Sequence, residues 1–214
     1  MEIVIISLAS FLVAILTFFS GFGLGTILTP VFMIFFPVDL AIGLTGVVHF
    51  FNNIYKLLLT GRSASREVVL RFGIPAVIAA IFGAWLLLNI SDLEPLFTYQ
   101  IFGKNFEVYP VKFIISILLI LFASIDLIPY FNTLQFSKKM LIPGGALSGF
   151  FGGLSGNQGA LRSAFLIKAG LSKEAFIATA VVVSTFVDIT RLSVYATKFA
   201  RSGLSNNLPL VLFA

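Results

Sequence analysis

Four residues able to bind anions or carry protons stand in stretches otherwise built from Leu, Ile, Val, Phe, Ala and Gly: His49, Arg162, Asp188 and Arg191. Arg162 follows Gly159 by three residues, so it falls in the first turn of a helix starting there, and its planar guanidinium suits an oxyanion. Placing a cation in the middle of a bilayer costs at least ~2.5 kcal/mol on insertion scales. Arg162 must therefore face a cavity, pair with Asp126 or Asp188, or snorkel to an interface. Asp188 and Arg191 are three apart and share a helix face. They fit two readings, an internal ion pair that holds the fold or a cavity wall where Asp188 carries a proton and Arg191 meets an anion. His49, the single histidine, titrates near neutrality and can relay a proton, although a lone histidine on an apolar helix is more often a structural hydrogen-bonder. Asn53 follows it by one turn and is expected, with Asp188, to line the cavity and meet the substrate. No catalytic triad, no carboxylate pair with a nucleophile and no metal-ligand cluster stands out, and zero cysteines exclude thiolate chemistry. The sequence therefore predicts no enzyme, no metal and no cofactor.

Such residues make sense only in a bilayer. Of 214 residues, 58% are hydrophobic and 11% charged, and the mean hydropathy is +1.06, too apolar for a water-soluble surface. A span needs about 20 apolar residues, so roughly six to eight crossings fit. The net charge of +5 comes mainly from Lys and Arg in short loops, with no basic stripe interleaved with aromatics. That pattern excludes nucleic acid and indicates a membrane. The opening run begins at Glu2 without a basic leader or a small-residue cleavage site, so it is expected to be a retained span.

Apolar runs occupy 3–19, 24–36, 39–60, 67–90 and 111–130, then 140–154, 158–170 and 173–199, with a further start at 207 that stops at Ala214 and reads as a shortened C-terminus. The 24–36 run rises only ~20 Å against a core of ~30 Å and cannot span. The Gly21-Phe22-Gly23-Leu24-Gly25 sequence before it disfavours continuous helix, so the first two runs predict a hairpin with its tip inside the membrane. Gly152, Gly153, Gly156 and Gly159 break the second series in the same place. An offset of 134 aligns Gly25 with Gly159, Ala41 with Ala175, Thr45 with Thr179 and Val47-Val48 with Val181-Val182; an offset of 135 sets Asn53 opposite Asp188 and Lys56 opposite Arg191. The chain thus reads as two repeated halves, 1–130 and 131–214.

A helix that starts inside the membrane points unpaired N–H groups and a positive dipole end into a cavity, and this attracts an anion. Gly23, Gly25 and Thr26 take that position in one half, and Asn157, Gln158 and Gly159 in the other. The competing reading is that the glycines only let helices approach, since Gly21-xxx-Gly25 and Gly149-xxx-Gly153 have small-residue packing spacing. A nucleotide-binding loop is excluded because no strand–helix unit surrounds the glycines.

Loop charges orient the halves. Lys56, Arg62, Arg66, Arg71, Lys138, Lys139, Lys168 and Lys173 gather on one side, which predicts it to be cytoplasmic, with Lys56 and Lys168 snorkelling towards it. Asp126 is expected there as a solvated or capping acid. Five passes precede residue 131, so the halves are inverted, an arrangement that places a substrate site at their mutual interface. The 91–110 stretch is expected to be an external loop.

Ser20-Gly21-Phe22-Gly23-Leu24-Gly25, followed by Pro30 and Pro37, and Gly152-Gly153-Leu154-Ser155-Gly156-Asn157-Gln158-Gly159, followed by Gly170-Leu171-Ser172-Lys173-Glu174-Ala175 and Ala178-Thr179, resemble the TauE/SafE family of sulfite and organosulfur-anion exporters. The resemblance covers about 7–60 and 140–199. In that family a Pro commonly follows the Gly-rich turn in both copies; Ala164 stands in the second place here. The resemblance implies a secondary transporter exporting sulfite, sulfonates or related anions. The expectation is an all-α, multi-pass protein of the cell (inner) membrane, made of two inverted repeats, each a Gly-broken hairpin followed by long transmembrane helices. Its partners would be a small sulfur-containing anion and the bilayer; proton coupling and oligomeric state stay open. The alternative is a non-transporting assembly subunit whose glycines only pack helices. Costly charges at intramembrane positions favour transport over that alternative.

Overall fold

A computed structural model describes residues 2–18, 23–128 and 136–202. Gly21, Phe22 and the start at 207 lie outside these residues, as does the side chain of Asp126. The chain is mostly helical: α1 (Glu2–Phe18), α2 (Leu24–Met33), α3 (Val38–Thr60), α4 (Arg66–Val68), α5 (Ile74–Ser91), α6 (Pro110–Leu127), α7 (Leu141–Ser155), α8 (Gly159–Leu166) and α9 (Lys173–Ser202). A π-helical turn, Val69–Gly73, joins α4 to α5 into one rod, Arg66–Ser91. Pro75 sits in the first turn of α5, and because it has no N–H to give, the ladder must adjust just before it. The order of helix, break, short helix, turn and long helix occurs twice, as α1–α2–α3 and α7–α8–α9.

Glycines set the breaks. Gly23 caps α2 with φ 93°, Gly156 ends α7 with φ 78°, and Gly170 turns the chain into α9 with φ 77°. Each angle strains a side chain with a Cβ. Pro30 lies inside α2 and Pro37 caps α3, so the chain turns between them.

The all-α expectation fails at one place. Residues 97–108, expected within a plain loop, form a hairpin of β1 (Phe97–Ile101) and β2 (Lys104–Val108), paired antiparallel from Phe97↔Val108 to Ile101↔Lys104. Phe102 (φ 50°) and Gly103 (φ 76°) form the two-residue turn. Positive φ at both positions is the twist that tight hairpins prefer.

Among the described residues two rods, Arg66–Ser91 and Lys173–Lys198, are long and apolar enough to cross a membrane. α3 is comparably long but carries His49, Asn52, Asn53 and Lys56. The outward faces are apolar: Phe11 and Leu16 of α1, Phe82 and Trp85 of α5 and Ile120 of α6 are all more than half exposed.

The closest packing joins α5 to α7. A Cβ on Gly145, Gly149 or Gly153 would stand 2.2, 2.0 or 2.2 Å from the carbonyl oxygens of Phe72, Ala76 and Ala80, and one on Gly83 would stand 2.0 Å from the Phe150 oxygen. Backbone meets backbone along this seam, so Gly149-xxx-Gly153 is a packing device. α3 runs along α9 beside it, with Gly46 admitting the side chains of Arg191 and Leu192.

Candidate functional site

Both short helices start beside buried residues, Leu24 and Gly25 in one and Asn157 and Gln158 in the other. At 1.5 Å per residue, the ten residues of α2 rise about 15 Å and the eight of α8 about 12 Å, so neither could cross a bilayer. Their N-terminal ends meet. Thr26 Oγ1 donates to Asn157 Oδ1 across 3.4 Å, and a Cβ on Gly25 would lie 2.6 Å from that oxygen and 3.0 Å from the Gly156 carbonyl oxygen. The six residues expected at the two breaks, Gly23, Gly25, Thr26, Asn157, Gln158 and Gly159, line one narrow cleft together with His49 and Gly156. Its free volume for water-sized centres is about 10 Å³, room for about one water. Asn157 Nδ2 and Gln158 Oε1 belong to buried side chains and have no hydrogen-bond partner among the described residues.

Beside the cleft, α3 and α9 bring three predicted polar residues, His49, Asn53 and Arg191, onto the carboxylate of a fourth, Asp188. Asp188 is fully buried. Its Oδ1 accepts from Arg191 Nε at 2.9 Å and pairs with Nη2 at 2.7 Å. Its Oδ2 lies 2.6 Å from His49 Nδ1 and accepts from Asn53 Nδ2 at 2.8 Å. A carboxylate only accepts, so His49 Nδ1 carries a proton. The Asp188–Arg191 ion pair anticipated from their spacing is formed. It does not use all of the guanidinium, because Arg191 Nη1 is buried without a hydrogen-bond partner among the described residues. That nitrogen stands 2.7 Å from where a Cβ on Gly156 would be, so Gly156 separates it from the cleft that Gly156 lines.

Arg162, in the first turn of α8, is 2% exposed and donates through Nη1 to Ser184 Oγ of α9. Its burial rules out snorkelling. Lys56 also departs from expectation. It is 7% exposed and directs Nζ to the Thr17 carbonyl oxygen at 3.4 Å, while Lys168 is exposed as expected. Lys56 is held inside because the end of α1 closes over it, a neighbour its position in the sequence does not reveal. Its alignment with Arg191 between the repeats was the signal for a buried cation here. Ser184 and Tyr195, which donates to the Gly153 carbonyl, were not singled out from sequence; both lie within apolar stretches where a hydroxyl alone indicates little.

Comparison with family profiles matches residues 6–214 to the profile described as Sulfite exporter TauE/SafE. Comparison with curated proteins and with solved structures finds no match.

Proposed function

Because the chain belongs to the TauE/SafE sulfite exporter family, a family of membrane transporters, we propose that it moves small sulfur-containing anions, such as sulfite or sulfonates, through the cleft where its two helix breaks meet. The observation that carries this reading is the unsatisfied donor Asn157 Nδ2 in the lining of that cleft, with a second, Arg191 Nη1, unpaired behind the lining residue Gly156. A buried donor left unpaired costs about 1–3 kcal/mol, and an oxyanion in the cleft relieves that cost. The N-terminal N–H groups of α2 and α8 add donors and partial positive charge from both sides, at Gly23, Gly25 and Thr26 and at Gln158 and Gly159, while the Asn157 N–H is taken by Ser155 Oγ. Among the described residues the buried charged side chains are three cations, Lys56, Arg162 and Arg191, and one carboxylate, Asp188, a balance that favours an anion. Gln158 Oε1, an acceptor, suits a protonated oxygen such as that of bisulfite. With room for about one water, the cleft admits sulfite only when the hairpin tips part.

His49 faces the cleft and holds Asp188, with Asn53 steadying the same carboxylate oxygen. In the proposed coupling, His49 Nε2 takes a proton from the cleft, the imidazolium is stabilised by Asp188, and the proton leaves as the opposite side opens. The halves 1–130 and 131–214 are taken as inverted repeats in a multi-pass inner-membrane protein, a reading supported by the repeated element order and by exposed Arg62, Arg66, Lys138 and Lys139 on one loop side. A purely packing role accounts for the glycines of the α5–α7 seam, but it leaves the unpaired donors at the breaks without a purpose.

The test is transport in proteoliposomes with sulfite, thiosulfate, sulfonates and sulfate, with and without a pH gradient. Sulfite flux that Asn157→Ala and Arg191→Lys both reduce supports the site. A folded protein that moves none of these anions, and whose melting none of them shifts, refutes the function.

A further inference from the structure

The β1–β2 hairpin presents two unlike faces. Its register puts Phe97, Tyr99, Ile101, Phe106 and Val108 on one side, with Lys104 at the turn end of that side, and Thr98, Gln100, Asn105 and Glu107 on the other. The Tyr99 and Phe106 rings stack with centroids 5.5 Å apart, yet both residues are 43% exposed, Phe97 is 55% exposed and Phe102 at the tip is 100% exposed. An uncovered aromatic face of this kind marks an interaction surface, and an isolated two-stranded hairpin is marginally stable in water.

Two constraints fix where this surface lies. Each strand has one unpaired edge, and such edges do not occur against hydrocarbon, which cannot satisfy their N–H and C=O groups. The tethers are short: five residues separate Ser91 of α5 from Phe97, and Tyr109 alone separates Val108 from Pro110 of α6. The hairpin cannot leave the end of the membrane helices and cannot enter the bilayer core. The headgroup layer meets both demands, wetting the strand edges while covering the rings, and it is where aromatic side chains concentrate. Lys112 of α6, with Nζ 4.9 Å from the Tyr109 ring centroid, supplies a cation at the same level.

We propose that residues 97–108 lie flat on the lipid surface, aromatic face down, as an interfacial anchor between α5 and α6. The occupant of the face is lipid, and because the hairpin carries both Lys104 and Glu107, zwitterionic phosphatidylcholine suffices. The experiment uses the full chain in phosphatidylcholine vesicles. Trp85→Phe removes the only tryptophan; in that background Phe106→Trp places an indole on the aromatic face and Gln100→Trp places one on the polar face. The expected result is a blue-shifted Phe106→Trp emission that lipids brominated near the headgroup quench and iodide does not, with iodide quenching retained for Gln100→Trp. Tyr99→Trp replaces Phe106→Trp if the latter melts below the parent. Equal iodide quenching of both faces puts the hairpin in water and overturns the proposal. An aromatic-face indole shielded from iodide and bromolipid alike also overturns it, since protein, such as a second copy, would then cover the face.

Discussion

Replacing Asp188 by Asn changes almost nothing in shape and removes the charge on which α3 and α9 converge. Two donors reach each carboxylate oxygen: Arg191 Nε and Nη2 lie 2.9 and 2.7 Å from Oδ1, and His49 Nδ1 and Asn53 Nδ2 lie 2.6 and 2.8 Å from Oδ2. Asparagine offers one oxygen and one NH2, so two donors must face another donor whichever way the amide turns. Hydrogen bonds to charged groups contribute about 1.5–3 kcal/mol each, and removing one partner of a buried ion pair costs about 3–5 kcal/mol. The two figures describe overlapping losses, so the expected destabilisation is about 3–5 kcal/mol in total. Unfolding in mixed detergent micelles, followed by circular dichroism, measures it. The double variant Asp188→Asn/Arg191→Gln removes the stranded cation and should be more stable than the sum of the single changes by about 2 kcal/mol, within the range for residues in contact. A single-variant loss below about 1 kcal/mol, the scale of an exposed pair, or a double variant that is merely additive, would refute the reading that this carboxylate organises the cluster.

The glycines should separate by role. Gly149→Ala forces a Cβ to within 2.0 Å of the Ala76 carbonyl oxygen and should destabilise the fold by about 1–3 kcal/mol or more, whereas Gly25→Ala meets the end of the Asn157 side chain at 2.6 Å and should destabilise less while losing sulfite flux; equal melting of the two would dissolve the distinction. Arg162→Gln should weaken sulfite binding by about 2 kcal/mol and Arg162→Lys by less, because lysine keeps the charge without the planar fork; calorimetric titration showing unchanged affinity in folded Arg162→Gln removes Arg162 from the site. The chain has no native cysteine, so Ser63→Cys can be labelled cleanly, and reaction with an impermeant thiol reagent on intact cells would invert the proposed topology.

Much of the framework could be read directly. Apolar runs at 39–60 and 173–199 became Val38–Thr60 and Lys173–Ser202, because Gly, Pro and charged loops mark where lipid-adapted helices must stop. The convergence of Asn53 and Asp188 was visible as matched polar positions in the two halves. The hairpin was less visible because Phe97, Tyr99 and Ile101 alternate over only a few residues, and the turn places Phe rather than Asn or Gly at its first positive-φ position. Lys56 was misread because closeness to a basic loop gives depth along one axis, whereas burial is set by which helix closes over the side. Likewise, spacing could not separate glycines that touch backbone along a seam from those that border the cleft, since both kinds share the same intervals.

The α5–α7 seam has a mechanical consequence. α5 precedes residue 131 and α7 follows it, so the closest contact among the described residues ties the two proposed repeats together. Prising the repeats apart as two blocks would tear carbonyls of Phe72, Ala76 and Ala80 from the glycine notches that receive them, with nothing in lipid to take their place. A working cycle must keep these two rods together as a stationary spine and confine displacement to the elements that touch it least. In the proposed transport cycle α2, with Gly25 in its first turn, is then the moving jaw of a clamp whose handle is α5 joined to α7, and Asn157, two residues beyond the end of α7, stays with the handle.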